Sequence, residues 1–343
     1  MKTAKFGSHS AMWHLICQTA IAVCMQSAWA ESTAPAPKVQ PTQVVDSLES
    51  TFGVHPGERR NHTKGTCAVG EFVGTSAGAA LSRSELFSGT TIPVIARFSL
   101  AGGNPQVPDV TRNARGMAIE FRLSDGSRQH MTMLNTPVFG AAVPNTFNDA
   151  IIAAKPDPKT GNPDPQKIRD FLATHPDALP QANYIDDNNP TRNYYEAAYF
   201  GIHTFKFVDA KGSEHPVKWR FVPLDGEKSL TAAEIKSAPH DFLEPNLIRR
   251  TMHGPVRWNM VVYVGQPGDP QDNATVTWPE TRTHFIAGTL TISEAMPQKG
   301  AECEKINYDP LVMADGIAPS NDPILLFRSP AYAISFVRRL SGN

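Results

Sequence analysis

Near the end of the chain Arg328 stands four residues before Tyr332, and Arg339 follows seven later. On one helix the three share roughly one face. A guanidinium beside a phenol favours the ionised form. An ionised phenol is a hard ligand for ferric iron, and tyrosine is a known axial ligand of haem. Asp322-Pro323 opens the stretch with proline where a helix tolerates one. Pro330 removes a backbone donor and should kink or restart the helix. The same spacing also fits an amphipathic terminal helix with an interfacial tyrosine and solvated arginines.

Other residues could act on a small oxygen-rich substrate. His62 sits in the polar, cation-rich stretch Gly57–Gly65. There it is either a surface residue or a neutral imidazole that takes a proton from one peroxide oxygen and returns it to the other. Arg97 ends an apolar strand and, beside such neighbours, must find an anion. Ser99 could fix the tautomer of a histidine ring. Asn135-Thr136-Pro137 reads as a turn, and its amide could orient a peroxide or polarise the O–O bond. Phe139 and Phe147 could pack on a flat ring.

These groups need strands to hold them. Residues 91–99, 117–123, 128–134, 203–208, 217–222, 259–264 and 284–293 are rich in β-branched and aromatic residues and read as strands. Residues 44–52, 166–174, 230–236 and 242–252 read as helices, with Thr231 and Glu234 placed as a capping box. Residues 155–165 and 180–192 read as loops. Strands joined by turns, without regular helical crossovers, predict an α+β chain built on an antiparallel sheet or barrel.

The 343 residues carry a net charge of −1 and no Lys/Arg block, which gives no support for nucleic-acid binding. Lys2 and Lys5, an apolar run to Met25 and the small-x-small pattern Ala28-Trp29-Ala30 predict a signal peptide over residues 1–30. That run is too short and interrupted for a membrane span. A Pro/Ala/Thr linker over 31–45 and a single domain over 46–343 follow, in a protein exported to a bacterial periplasm. Cys67 and Cys303 remain after cleavage. An oxidising compartment allows them to pair, and two separate buried thiols fit the sequence equally well.

In order and approximate spacing, His62 with Lys64-Gly65, Arg97-Phe98-Ser99, Asp109 with Arg112 and Arg115-Gly116, Asn135-Thr136-Pro137 with Phe139, His203-Thr204-Phe205, and Arg328 with Tyr332 and Arg339 resemble the haem catalase family. The resemblance runs from about Arg59 to Arg339. It is closest to the short catalase-related peroxidases. It implies an antiparallel β-barrel haem-binding core with surrounding helices and a haem b whose iron is held by Tyr332. It makes His62 and Asn135 the catalytic pair. Arg328 supports the phenolate, Arg59, Arg97 and Arg339 bind propionates, and Ser99 stands beside the histidine. The implied activity is reduction of hydrogen peroxide or small organic hydroperoxides by an organic electron donor, in a monomer or small homo-oligomer. A true catalase and a non-catalytic haem carrier are the alternatives. Two departures stand out. Gly140 replaces a phenylalanine of the longer catalases, implying a more open distal pocket, and Arg60-Asn61 replaces an apolar pair before the histidine.

Overall fold

The computed structural model describes residues 39–342, so the predicted signal peptide and residues 31–38 of the linker lie outside the described residues. The strands are β1 (Gly65–Gly74), β2 (Thr91–Leu100), β3 (Arg115–Arg122), β4 (Arg128–Leu134), β5 (Tyr199–Phe200), β6 (Phe205–Val208), β7 (Glu214–Pro223), β8 (Val256–Val264), β9 (His284–Pro297) and β10 (Ile317–Pro319). All their pairings are antiparallel. The order β7-β5-β4-β3-β2-β1-β9-β8 closes on itself through a β7–β8 pairing, giving an eight-stranded barrel, with β6 and β10 extending the sheet beyond β7. Closure removes the exposed edges of those eight strands.

Side-chain alternation explains where the site falls. In β2, Ile92, Val94, Ala96, Phe98 and Leu100 belong to the main core. Phe98 meets Tyr194, Tyr199 and Trp258 with ring centroids 5.4, 5.9 and 5.8 Å away. In β3 the core takes Met117, Ile119 and Phe121, and in β4 Met131 and Met133. The intervening residues must face the other way. Register sets them in rows: Ser99 opposite Gly116 and Gly116 opposite Leu134, then Arg97 opposite Ala118 and Ala118 opposite Thr132. The barrel interior is packed, and a row of functional groups lies on its outer face.

Three helices cover that face. Val39, Val44 and Leu48 of the first segment pack with Ile151, Phe147 and Phe327. The terminal helix, Pro323–Leu340, begins where Asp322 accepts hydrogen bonds from the N–H groups of Ile324 and Leu325 at 2.9 and 3.3 Å. Arg338 ties it to Asp46 and Glu49 at 2.7 and 2.6 Å. These half-exposed pairs are worth about 0–1 kcal/mol, so apolar burial does most of the holding.

Several sequence expectations change. The linker expected over 31–45 is helical from Pro41, because Gln40 and Gln43 close a capping box and Val44, Val45 and Leu48 are buried. Residues 180–192 were expected to be loop, but Leu179–Asp187 is a helix with Pro180 in its first turn, where proline costs little. Pro330 lies inside a helix that continues through it without a break. His203 and Thr204 precede β6 rather than belonging to it. The strand Gly65–Gly74 and the helix Pro144–Ala153 carry no clear periodic signal. Cys67 and Cys303 form a disulfide, with Cα atoms 5.6 Å apart.

Candidate active site

A cavity of about 1310 Å³ of non-atom space, its open mouth included, lies between the outer face of β2–β4 and the helices Pro41–Phe52 and Pro323–Leu340. Its wall includes Arg59, His62, Arg97, Ser99, Phe139, Phe147, Arg328, Tyr332 and Arg339. One space thus gathers residues from both ends of the chain.

His62 sits just before β1, with its Nδ1 2.9 Å from Ser99 Oγ. Gly116 makes room for it: a Cβ there would come within 3.0 Å of the imidazole and 2.8 Å of Ser99 Oγ. Burial, together with the positive charges of Arg97, Arg328 and Arg59, pushes the imidazole down to about 3. It is therefore neutral near pH 7. With Nδ1–H donating to Ser99, Nε2 is left as a base. Its backbone φ of 55° is left-handed, a conformation costing about 1–3 kcal/mol that persists only when the surroundings over-determine it. Arg97 contributes: its Nη2 donates to the carbonyls of His62 and Thr63 at 2.7 and 3.0 Å.

On the terminal helix, Arg328 Nη2 donates to Tyr332 Oη and to Thr132 Oγ1, both at 2.7 Å. Its Nη1 lies 3.1 Å from His203 Nε2. A guanidinium has no acceptor, so Nε2 of His203 must be unprotonated and Nδ1 carries the proton. That Nδ1–H donates to Asp322 Oδ2 at 2.7 Å, within a pair only 1% exposed on either side. Burial lowers His203 below the ordinary histidine range, keeping it neutral. Burial alone would raise Asp322, but the hydrogen bond and electrostatic pull of His203 together with the Leu325 and Ile324 N–H groups outweigh it and hold the carboxylate ionised. A hydrogen-bonded line Asp322–His203–Arg328–Tyr332 thus delivers an oriented donor to one phenol oxygen. Sequence reasoning placed His203 in the motif without a role and saw in Asp322 only the start of a helix. Its two donors from Ile324 and Leu325 are ordinary capping; the bond to His203, 119 residues away, has no local signal.

Arg59 and Arg97 are bonded to neutral groups. Arg59 Nη2 donates to the carbonyls of Cys303 and Ile306 at 3.0 and 2.6 Å. Arg97 donates from Nε and Nη2 to Gln298 Oε1 at 3.0 and 2.7 Å. Arg339 is 6% exposed, and its buried Nη2 has no partner. Burial is the first cause lowering all three, with Arg97 reaching about 10. Buried positive charges facing a cavity without carboxylate partners need an anionic occupant. A flat apolar ring with carboxylates, such as haem, fits: phenol and arginines for iron and acids, Phe139 and Phe147 with centroids 5.4 Å apart for the ring.

Asn135 is placed differently from the expectation. It lines an adjoining polar cleft with Arg115, Thr136 and Tyr184, not the wall that holds His62. Its Oδ1 accepts from the backbone N–H of Arg115 at 2.7 Å, an anchoring bond. The space beside Gly140 is not empty either. A Cβ there would meet Gln181 Oε1 at 2.6 Å, from the helix read as loop.

The sequence matches the catalase family model over residues 27–343. It is 52% identical to a catalase-related peroxidase of Synechococcus elongatus over 304 residues, 89% of this chain and 90% of that protein. It is 32% identical to a catalase-related peroxidase of Mycolicibacterium paratuberculosis, covering 86% and 93% of the two chains. Against a catalase of Pseudomonas aeruginosa the identity is 29%, over 89% of this chain and 61% of the other. Among solved structures, catalase A from Saccharomyces cerevisiae superposes with a TM-score of 0.77 at 25% identity, covering 83% of this chain and 62% of that one.

Proposed function

The chain belongs to the catalase family, and we propose that it is a peroxidase that reduces hydrogen peroxide or small organic hydroperoxides with an organic electron donor, using haem b. The observation that carries this reading is the Arg328–Tyr332 bond in the wall of the same cavity that His62 lines. A haem bound there would supply the redox-active iron for peroxide reduction.

The chain's own residues do the rest. Tyr332 offers its phenol oxygen as the iron ligand, and the donor from Arg328 stabilises charge on that oxygen. Arg59, Arg97 and Arg339 hold the acidic edge of the ring. His62 Nε2 takes the proton from the inner peroxide oxygen and returns it to the outer one, so that water can leave. Ser99 keeps the imidazole in the tautomer this requires. In sequence Asn135 stands between Leu134 on the cavity wall and Thr136 on the cleft. Its Oδ1 accepts from the Arg115 N–H, which fixes the carboxamide, and its Nδ2 is the donor this reading offers to the outer oxygen.

We place the protein in the periplasm. The leader pattern of residues 1–30 and the Cys67–Cys303 pairing support this reading. The enzyme test is peroxide consumption by the purified haem protein, with and without an organic donor, on an oxygen electrode. Donor-dependent consumption without oxygen supports the peroxidase; donor-independent oxygen release would make it a catalase; no consumption would leave only a haem carrier.

A further inference from the structure

We propose that Asn61 is a positioning residue for the distal base: its side chain holds His62 in the left-handed backbone that presents the imidazole to the cavity. Among the described residues, His62 is the single non-glycine with positive φ. A conformation that unfavourable persists only when its surroundings over-determine it, and here hydrogen bonds hold both sides of the residue. On the carbonyl side, Arg97 donates to His62 O at 2.7 Å. On the amide side, the partner is Asn61 Oδ1, which accepts from the His62 N–H at 2.9 Å.

The same oxygen also accepts from the Gly102 N–H at 2.8 Å. One carboxamide therefore ties the histidine loop to the turn that follows β2, and the Thr63 N–H reinforces the tie by donating to Gly102 O at 3.2 Å. Gly103 lets the two segments approach, since a Cβ there would lie 2.7 Å from Arg60 O. Asn61 itself lines the cavity beside His62. An apolar side chain at 61 could offer neither backbone N–H an acceptor. The His62 amide would then lose its partner, φ would relax, and the ring would leave Ser99 Oγ.

The proposal rests on the peroxidase reading, with His62 as base. It is tested on the haem-loaded protein by comparing Asn61→Val with Asn61→Asp, which keeps the acceptor oxygen. Two readouts are taken: the second-order rate with hydrogen peroxide across pH, and the dissociation constant for cyanide from the Soret shift. Misplacing a catalytic group by about 1 Å costs about 10²-fold, so Asn61→Val should lose tenfold or more in rate. It should bind cyanide correspondingly more weakly, and the acid limb of its rate profile should move up as water reaches the imidazole. Asn61→Asp should keep at least threefold more of the rate than Asn61→Val. Asn61→Val matching the wild type in rate, acid limb and cyanide affinity overturns the proposal, as do equal losses in the two variants. A wild type that consumes no peroxide sinks the enzyme reading instead, and the cyanide titration then still reports on the His62 geometry.

Discussion

Arg328 Nη2 lies 2.7 Å from Tyr332 Oη, four residues along a helix that runs unbroken through Pro330. The guanidinium is held at two further points, Thr132 and His203, and His203 is itself anchored by Asp322. A donor so fixed loses little entropy in keeping its bond to the phenol oxygen. Replacing Arg328 by Ala should weaken haem binding by about 10- to 100-fold, the usual effect of removing a group that orients a metal ligand. Arg328→Lys should fall between, because a single ammonium cannot span all three partners. Haem titration followed at the Soret band measures both; an affinity unchanged in Arg328→Ala would remove the arginine from the cofactor site.

His62→Ala should leave haem bound and lower peroxide turnover by about 10²–10⁴-fold, the range for a positioned acid–base group. Asn135→Ala should cost less, since Asn135 lines the adjoining cleft and its Oδ1 serves Arg115. Steady-state rates at saturating donor decide this. Full activity in His62→Ala refutes the proton-transfer role.

The protonation of His62 links stability to pH. An unfolded histidine takes its proton near 6.5, while the folded one refuses it down to about 3. Between those values the unfolded chain binds more protons, so stability falls as pH falls through that window and the loss is complete below 3. The slope from this one group is at most about 1.4 kcal/mol per pH unit. His62→Gln should therefore lose stability less steeply than the wild type between pH 6.5 and 3 in denaturant titrations. Parallel slopes would show that the imidazole is charged in the native state.

Gly116→Ala should damage the site without unfolding the barrel. The added methyl meets the His62 ring and Ser99 Oγ, both on the outer face. The expected result is near-native secondary structure by circular dichroism, with the peroxide rate down about tenfold or more. Unchanged turnover would mean that His62 does not work from this position.

Cys67 and Cys303 join residues 236 apart in sequence, both buried. Cys303→Ser should cost about 2–5 kcal/mol, read as a lower denaturant midpoint. It should also loosen Arg59, which donates to the carbonyl of Cys303. A midpoint unchanged from the oxidised wild type would show that the bond adds nothing to stability.

The chemistry-bearing residues were legible because each keeps its type and order along the chain. Arg328 and Tyr332 also announce their contact by helical spacing. The strands β2, β3, β4 and β7 were legible from alternation and β-branched content. What stayed hidden depends on tertiary contact. The strand Gly65–Gly74 is punctuated by glycines that fit against neighbouring backbone: a Cβ on Gly70 would clash with Thr291 O. The helix Leu179–Asp187 has no buried residues and only weak amphipathicity, yet Gln181 from it fills the space beside Gly140. The Asp322–His203 contact, Gln298 beneath Arg97 and the bridging by Asn61 join distant segments, which no local pattern encodes.

The rows Ser99–Gly116–Leu134 and Arg97–Ala118–Thr132 exist only while three neighbouring strands stay in step. A slip of one residue would turn Arg97 and Ser99 into the sealed interior and push Phe98 outward. Such a chain could neither bury its charges nor grip a pigment. Mispaired molecules would therefore be pale as well as fragile, and the ratio of Soret to protein absorbance after haem saturation would measure how faithfully a preparation has zipped.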